Sequence, residues 1–290
     1  MSSFYAWLAA LARSGKLPHA FEYPFITRGI LAAILLAPLL GGLSHVVVAR
    51  RMAFFSSVIG HGALTGLTLG LLLGASPDTP WLGMMGFCVM LGIGISYVKR
   101  RSPLSPDTLI GVFMALTLGL GVCLLVAATK TFNIHQIEGL MFGSLLTVTD
   151  LDLLVLLVGS VVIGALVAWR YNALLLDSLD TRLASTARVD TTFIEYAFVV
   201  LLTAAIVVSL KIVGALLVEA LVVVPAAAAR NVARTARGYW LGSIAIALVS
   251  GVAGIFVSSA WAVPTGGAVV LTLSAAFFVT LALRRFVRSG

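Results

Sequence analysis

The chain is 290 residues long, with 60% apolar and only 10% charged side chains, a composition that cannot clothe a soluble globule and so excludes one. Its 19 basic and 11 acidic residues leave a formal net charge of +8. The basic residues sit in short clusters between long apolar runs, so they read as topology signals rather than as a nucleic-acid surface.

Residues 1–24 carry Phe4, Trp7, Leu8 and Leu11 at helical spacing. No basic residue precedes this stretch and no persuasive small-residue cleavage site follows it. An amphipathic helix lying on the outer leaflet is therefore expected, not a signal peptide. From 25 to 290 the sequence reads as one transmembrane domain. A hydrocarbon core about 30 Å thick takes roughly 20 apolar residues per helix, and nine charge-poor runs approach that length: 25–48, 54–74, 81–98, 108–128, 151–169, 193–210, 212–229, 239–260 and 266–283. Cys88 and Cys123 each lie inside such a run, which argues for packing roles and against a disulfide or a thiolate metal site. Only Lys211 separates the sixth run from the seventh, yet one helix of their combined length would far overshoot a bilayer, so a turn is expected there. The architecture is all-α, a polytopic helical bundle of nine spans, or eight if one run is re-entrant. Between the fourth and fifth runs, Ile137 to Val148 is too short to span and is broken by Gly139 and Gly143. It is expected to fold back before the fifth helix, at whose start Thr149 and Asp152 fit a capping box.

Alternate loops differ sharply in charge. One set holds Arg50 and Arg51; Lys99, Arg100 and Arg101; Arg170, Arg182 and Arg188; Arg230, Arg234 and Arg237; and Arg284, Arg285 and Arg288, fourteen of the nineteen basic residues. The positive-inside rule places that set, and with it the C-terminus, in the cytoplasm. The longest of these loops, 170–192, returns Leu174, Leu175, Leu179 and Leu183 among Asp177, Asp180, Arg182 and Arg188. That is the pattern of a short surface helix offering apolar knobs to another protein. No GxxxxGK[ST] occurs, so an ATP-driven motor would have to be a separate subunit. GxSxG and HExxH are also absent, which argues against an intramembrane hydrolase.

Ionisable groups deep in a bilayer cost about 2.5–3.5 kcal/mol each on insertion scales, and two fall near mid-depth. His61 lies ten residues past Arg51, roughly 15 Å along a helix. Glu219 lies eight residues after Lys211 and eleven before Arg230, about 12 and 16 Å from the two ends. Singly, a membrane histidine serves as an interhelical donor and a glutamate as a protonated partner of a carbonyl. At matched depth, imidazole and carboxylate instead suggest a path for a divalent transition ion. His45, five residues before Arg50, reads as interfacial. Small residues Ser56, Ser57, Gly60, Gly62, Gly66 and Gly70 share the helix of His61 and permit close helix approach. Pro225 is a break that neighbouring groups in a membrane can satisfy.

The run Arg50-Arg51-Met52 followed by Ser57-Val58-Ile59-Gly60-His61-Gly62-Ala63-Leu64-Thr65-Gly66 resembles the second-span motif of the zinc/manganese permeases of ABC importers. Three further stretches agree in order and spacing: Pro106 to Gly111, Phe142 to Thr149, and Lys211 to Leu217 continuing through Pro225 to Arg230. The similarity covers nearly the whole chain after residue 25. It implies a type II ABC importer permease in the bacterial cytoplasmic (inner) membrane. Two copies form the pathway, two cytoplasmic ATPase subunits bind below, and a periplasmic metal-binding protein delivers the ion. No cofactor is held permanently; Zn2+ or Mn2+ is the transported cargo, with zinc ahead.

This chain departs from the family pattern where an aspartate commonly stands four residues before the histidine, because Ser57 occupies that place. Glu219 stands where relatives usually carry a small or apolar residue. The expectation is that Glu219 supplies the missing carboxylate, making His61, Glu219 and Ser57 the candidate metal residues. The segment from Leu179 to Val189 resembles the family's coupling helix, with Leu179, Asp180, Leu183, Ala184 and Arg188 expected to face the ATPase; Arg188 stands where glycine is common. Two rivals remain: a permease for iron chelates, which would favour a wider path, and a self-powered carrier, which would show inverted repeats that the two halves do not display.

Overall fold

A computed structural model describes residues 23–74, 81–128, 148–179 and 190–288. The amphipathic stretch expected around Phe4 to Leu11 and the fold-back segment 137–147 lie outside them. Among the described residues the chain is helical throughout, and nine helical stretches are long and apolar enough to cross a membrane. They match the nine charge-poor runs one for one.

The described residues divide into two compact units, one drawn from Met1–His45, Phe142–Val162 and Ile212–Gly290, the other from Val46–Met141 and Ile163–Lys211. In the first unit, α1 (Pro24–Leu36) opens with a proline, whose fixed φ suits a first helical turn. Pro38 then removes a backbone donor and crowds the preceding turn, and the ladder widens into a π-helical turn over Ala37–Gly41. Helix α2 (Gly42–Ala49) completes this span and carries the chain out of the first unit after His45. Later in sequence, α9 (Ala215–Val232), α10 (Ala236–Trp261) and α11 (Thr265–Arg288) complete the core of this unit.

Helix α10 is the hub, packing on α1, the π turn, α9 and α11. The reason is a buried stripe of small residues, Ser243, Ala247, Ser250, Gly251, Gly254 and Ser258, which lets backbones approach. A Cβ on Gly254 would stand 2.5 Å from Val269 Cα, and one on Gly41 would stand 2.8 Å from Ala247 Cβ. The first unit also takes the start of α6 (Asp150–Trp169). Its capping box is as expected: Thr149 N and Oγ1 donate to Asp152 Oδ2 at 3.1 and 2.6 Å, and Asp152 N donates to Thr149 Oγ1 at 3.2 Å. Arg28 Nε donates to Asp150 Oδ1 at 2.8 Å, tying α1 to the same helix start.

In the second unit, α3 (Phe55–Leu72), α4 (Trp81–Arg101) and α5 (Pro106–Ala128) pack together. The glycines of α3 let it touch α4 backbone to backbone: a Cβ on Gly66 would stand 2.6 Å from Gly83 O and 3.1 Å from Met84 Cα. Thr65 Oγ1 lies 3.1 Å from both the His61 and the Thr117 carbonyl oxygens, linking α3 to α5. Pro106-Asp107-Thr108 proves to be a helix start. Ser105 Oγ accepts from Thr108 N at 3.3 Å, proline takes the first position, and the aspartate complements the dipole. The short α7 (Tyr171–Leu179) and α8 (Thr191–Val213) follow, α8 capped by Asp190 Oδ1, which accepts from the N–H groups of Thr192 and Phe193, both at 3.0 Å.

The turn expected at Lys211 falls three residues later. Helix α8 runs through Lys211 to Val213, and the break is at Gly214, with φ 85° and ψ 163°, a conformation that a side chain would strain. Charge marked the region, but backbone freedom fixes the point.

Gly66→Ala is expected to destabilise the protein by about 1–3 kcal/mol, because the new methyl meets backbone atoms that cannot move aside. Gly86→Ala, where a Cβ would meet nothing within 4 Å, should melt with the wild type. Thermal denaturation in detergent checks the pair.

Candidate metal-handling residues and the arginine-rich end

Helix α3 is mostly buried, but Ser57, His61 and Leu64, at spacings of four and three, stay partly exposed while Ser56, Val58, Ile59, Gly60, Gly62 and Ala63 are covered. Spacings of three and four put them on one face. Glu219 has the same setting on α9. Leu216, Glu219, Ala220, Val223 and Ala227 form the accessible stripe, and Leu217, Val218, Leu221 and Val222 are buried. Among the described residues, no hydrogen bond or ion pair engages the side chain of Ser57, His61 or Glu219. Each candidate is thus a partly exposed polar group with no hydrogen-bond or ion-pair partner among the described residues, on the more open face of its helix. Ser57 and His61 belong to the second unit and Glu219 to the first. Among the described residues no three His, Cys, Asp or Glu side chains gather closely enough to hold a metal. An imidazole nitrogen, a carboxylate and a hydroxyl are donors that a divalent transition ion accepts.

His45 is 1% exposed, covered by neighbouring helices. Its Nδ1 lies 2.7 Å from Gly42 O, and its ring meets Tyr239 edge-on at 6.0 Å between centroids. Closeness to Arg50 in sequence gave its depth along the helix, not the face it lies on.

The arginine-rich ends hold a cluster that sequence reading passed over. Arg50 Nη2 donates to Asp177 Oδ2 at 2.7 Å, with the side chains only 5% and 8% exposed, and the guanidinium stands 4.8 Å from the centre of the Phe198 ring. This one residue therefore binds the connection before α3 to both α7 and α8. Beside it, Glu195 accepts from Lys99 Nζ at 2.9 Å and from Arg100 at 3.2 Å, and Arg100 also donates to Thr192 Oγ1 at 2.7 Å. Burial pushes the Asp177 carboxyl above the usual carboxylate range, with Glu195 adding to the shift and Arg50, Lys99 and Arg100 opposing it. Burial likewise lowers the Arg50 guanidinium, against the pull of Asp177 and Glu195. A carboxyl raised in the folded state binds its proton more tightly there. Its contribution to stability falls as pH rises from about 3.9, the unfolded value, through the folded one.

The expected partner-facing loop is corrected in part. Leu174 is 3% exposed and packs inside this chain, so it is not a knob for another protein. Leu174 and Asp177, three apart on α7, share its inward face, a spacing visible in the sequence. Leu179 ends α7; Asp180, Leu183, Ala184 and Arg188 lie outside the described residues.

A model of the ABC 3 transport family matches residues 22–284. The manganese import system permease protein ScaB of Streptococcus gordonii is 28% identical over 89% of this chain and 91% of its own length. The high-affinity zinc uptake system membrane protein ZnuB of Haemophilus influenzae is 27% identical over 89% of this chain and 96% of its own. Among solved structures, PsaBC from Streptococcus pneumoniae in complex with Fab aligns with a TM-score of 0.77 at 25% identity, over 97% of this chain and 95% of that one.

Proposed function

Because the chain belongs to the ABC 3 transport family, we propose that it is the membrane-spanning permease subunit of an ATP-driven importer of a divalent transition metal, zinc ahead of manganese. The observation that carries this reading is that relatives named as manganese and zinc permeases align along 89% of the chain. The nine membrane-length helical stretches among the described residues agree with it. The chain transports and does not hydrolyse ATP. The working importer is two copies of this permease, two cytoplasmic ATPase subunits and a periplasmic metal-binding protein, in the bacterial inner membrane with the C-terminus in the cytoplasm.

Within it, His61 and Ser57 from α3 and Glu219 from α9 hold the passing ion. Two strong donors and a hydroxyl suit transient binding, since conduction needs a site weak enough to leave. High affinity then belongs to the delivery protein. The segment containing Leu179, Asp180, Leu183, Ala184 and Arg188 seats on the ATPase and passes its motion to the spans.

Reconstitution with the ATPase and delivery protein tests this. Radioactive zinc or manganese should accumulate in vesicles only with ATP and all components present. Accumulation that persists without ATP or without the ATPase would make the chain a self-powered carrier and end the proposal.

A further inference from the structure

At the arginine-rich end of the second unit, Arg50, Arg51, Lys99, Arg100, Asp177 and Glu195 line a cavity of about 230 Å3. It opens just beyond the apolar part of α2 and α4 and at the first turn of α8, the depth at which lipid phosphates lie.

The charges do not balance. Asp177 answers Arg50, and Glu195 answers both Lys99 and Arg100, leaving two positive charges in excess. Arg51 has no acidic partner among the described residues and is held at φ 56°, a left-handed conformation that non-glycine residues rarely adopt and that recurs where function requires it. Arg50 Nε is buried with no acceptor, although buried donors are nearly always satisfied. Unanswered positive charge, an orphan guanidinium N–H and an open polar cavity converge on one ligand chemistry, an anion rich in acceptor oxygens.

We propose that this cavity binds a phosphate group, carried by an anionic lipid headgroup or free in solution. The phosphate neutralises the excess charge and engages Arg51. Asp177 lies on α7, the helix that leads into residues 180–188. An occupied cavity therefore braces α7 against the connection before α3 and against α8. This site is separate from the metal residues and does not depend on which ion is carried.

The full-length protein in phosphatidylcholine nanodiscs gives the test. Binding of phosphatidylglycerol is followed by native mass spectrometry, and binding of radioactive inorganic phosphate by equilibrium filtration. One probe should bind stoichiometrically, weakened about tenfold by Arg51→Gln, the scale of one charge-assisted hydrogen bond. Arg237→Gln, at another exposed arginine, should leave it unchanged, and Arg51→Lys should retain binding within about threefold because the charge remains. Phosphatidylglycerol alone identifies a lipid site; inorganic phosphate identifies a soluble one. If neither probe binds, or if Arg51→Gln and Arg237→Gln weaken it equally, or if Arg51→Lys loses as much as Arg51→Gln, the proposal is overturned.

Discussion

Glu219→Gln is expected to reduce metal uptake by about tenfold or more while leaving the protein folded and its basal ATPase activity, in complex, near wild type. The amide keeps the shape of the side chain and removes its charge. The side chain is partly exposed and bonded to nothing among the described residues, so no structural pairing is lost. His61→Ala should fall similarly, since even outer-shell changes around a metal cost about 10–100-fold in affinity or activity. Combining the two should cost little more than either alone, because groups acting on one ion are strongly non-additive. Ser57→Asp supplies the sharper measurement. It restores a carboxylate one helical turn before His61, and in the Glu219→Gln background it should recover part of the lost uptake. Full uptake in the single variants, or strict additivity in the double, would show that the two residues do not share an ion.

Much of the fold is legible because a membrane imposes it. With no water to satisfy peptide groups, each run of about 20 apolar residues has to be a helix, and the nine runs became nine helices. One local start signal also reads correctly: Thr149 with Asp152 is a short-range hydrogen-bonding effect that needs no tertiary contact; the start at Pro106 and Asp107 is of the same local kind and became clear with the structure. What escaped depends on packing or backbone geometry. The π turn at Ala37–Gly41 lies inside an unbroken apolar run, so only the ring of Pro38 hints at it. The end of α8 was placed at Lys211 by charge, whereas Gly214 sets it by permitting φ 85°. Distance from Arg50 gives the depth of His45 and loop polarity suggests an exposed Leu174, yet both side chains are buried. Depth along a helix axis can be counted from sequence; the direction a side chain faces has to come from the neighbouring helices. The same holds for the candidate metal residues. Their type and depth are readable, and so is the exchange of Ser57 for an acid. Their positions on the open stripes of α3 and α9 came only with the structure.

Asp177→Asn is expected to be among the most destabilising single changes outside the spans, by about 3–5 kcal/mol. The carboxylate and its partner are 8% and 5% exposed, and removing one member of a buried pair leaves the other charge without compensation. Arg50 would keep its contact with the Phe198 ring, worth on the order of 1–2 kcal/mol, too little to offset the loss. The contrast with Lys99→Ala separates this from a general effect of charge. Lys99 is 23% exposed and Glu195 retains Arg100, so that change should cost no more than about 1 kcal/mol. Replacing both members, Arg50→Met with Asp177→Leu, should recover most of the stability lost in Asp177→Asn, since apolar side chains of similar size often replace a buried ion pair without cost. Apparent melting temperatures of the four proteins in detergent decide it. If Asp177→Asn melts with Lys99→Ala, the pair is solvated in the assembled membrane end and does not hold α7 to the connection before α3.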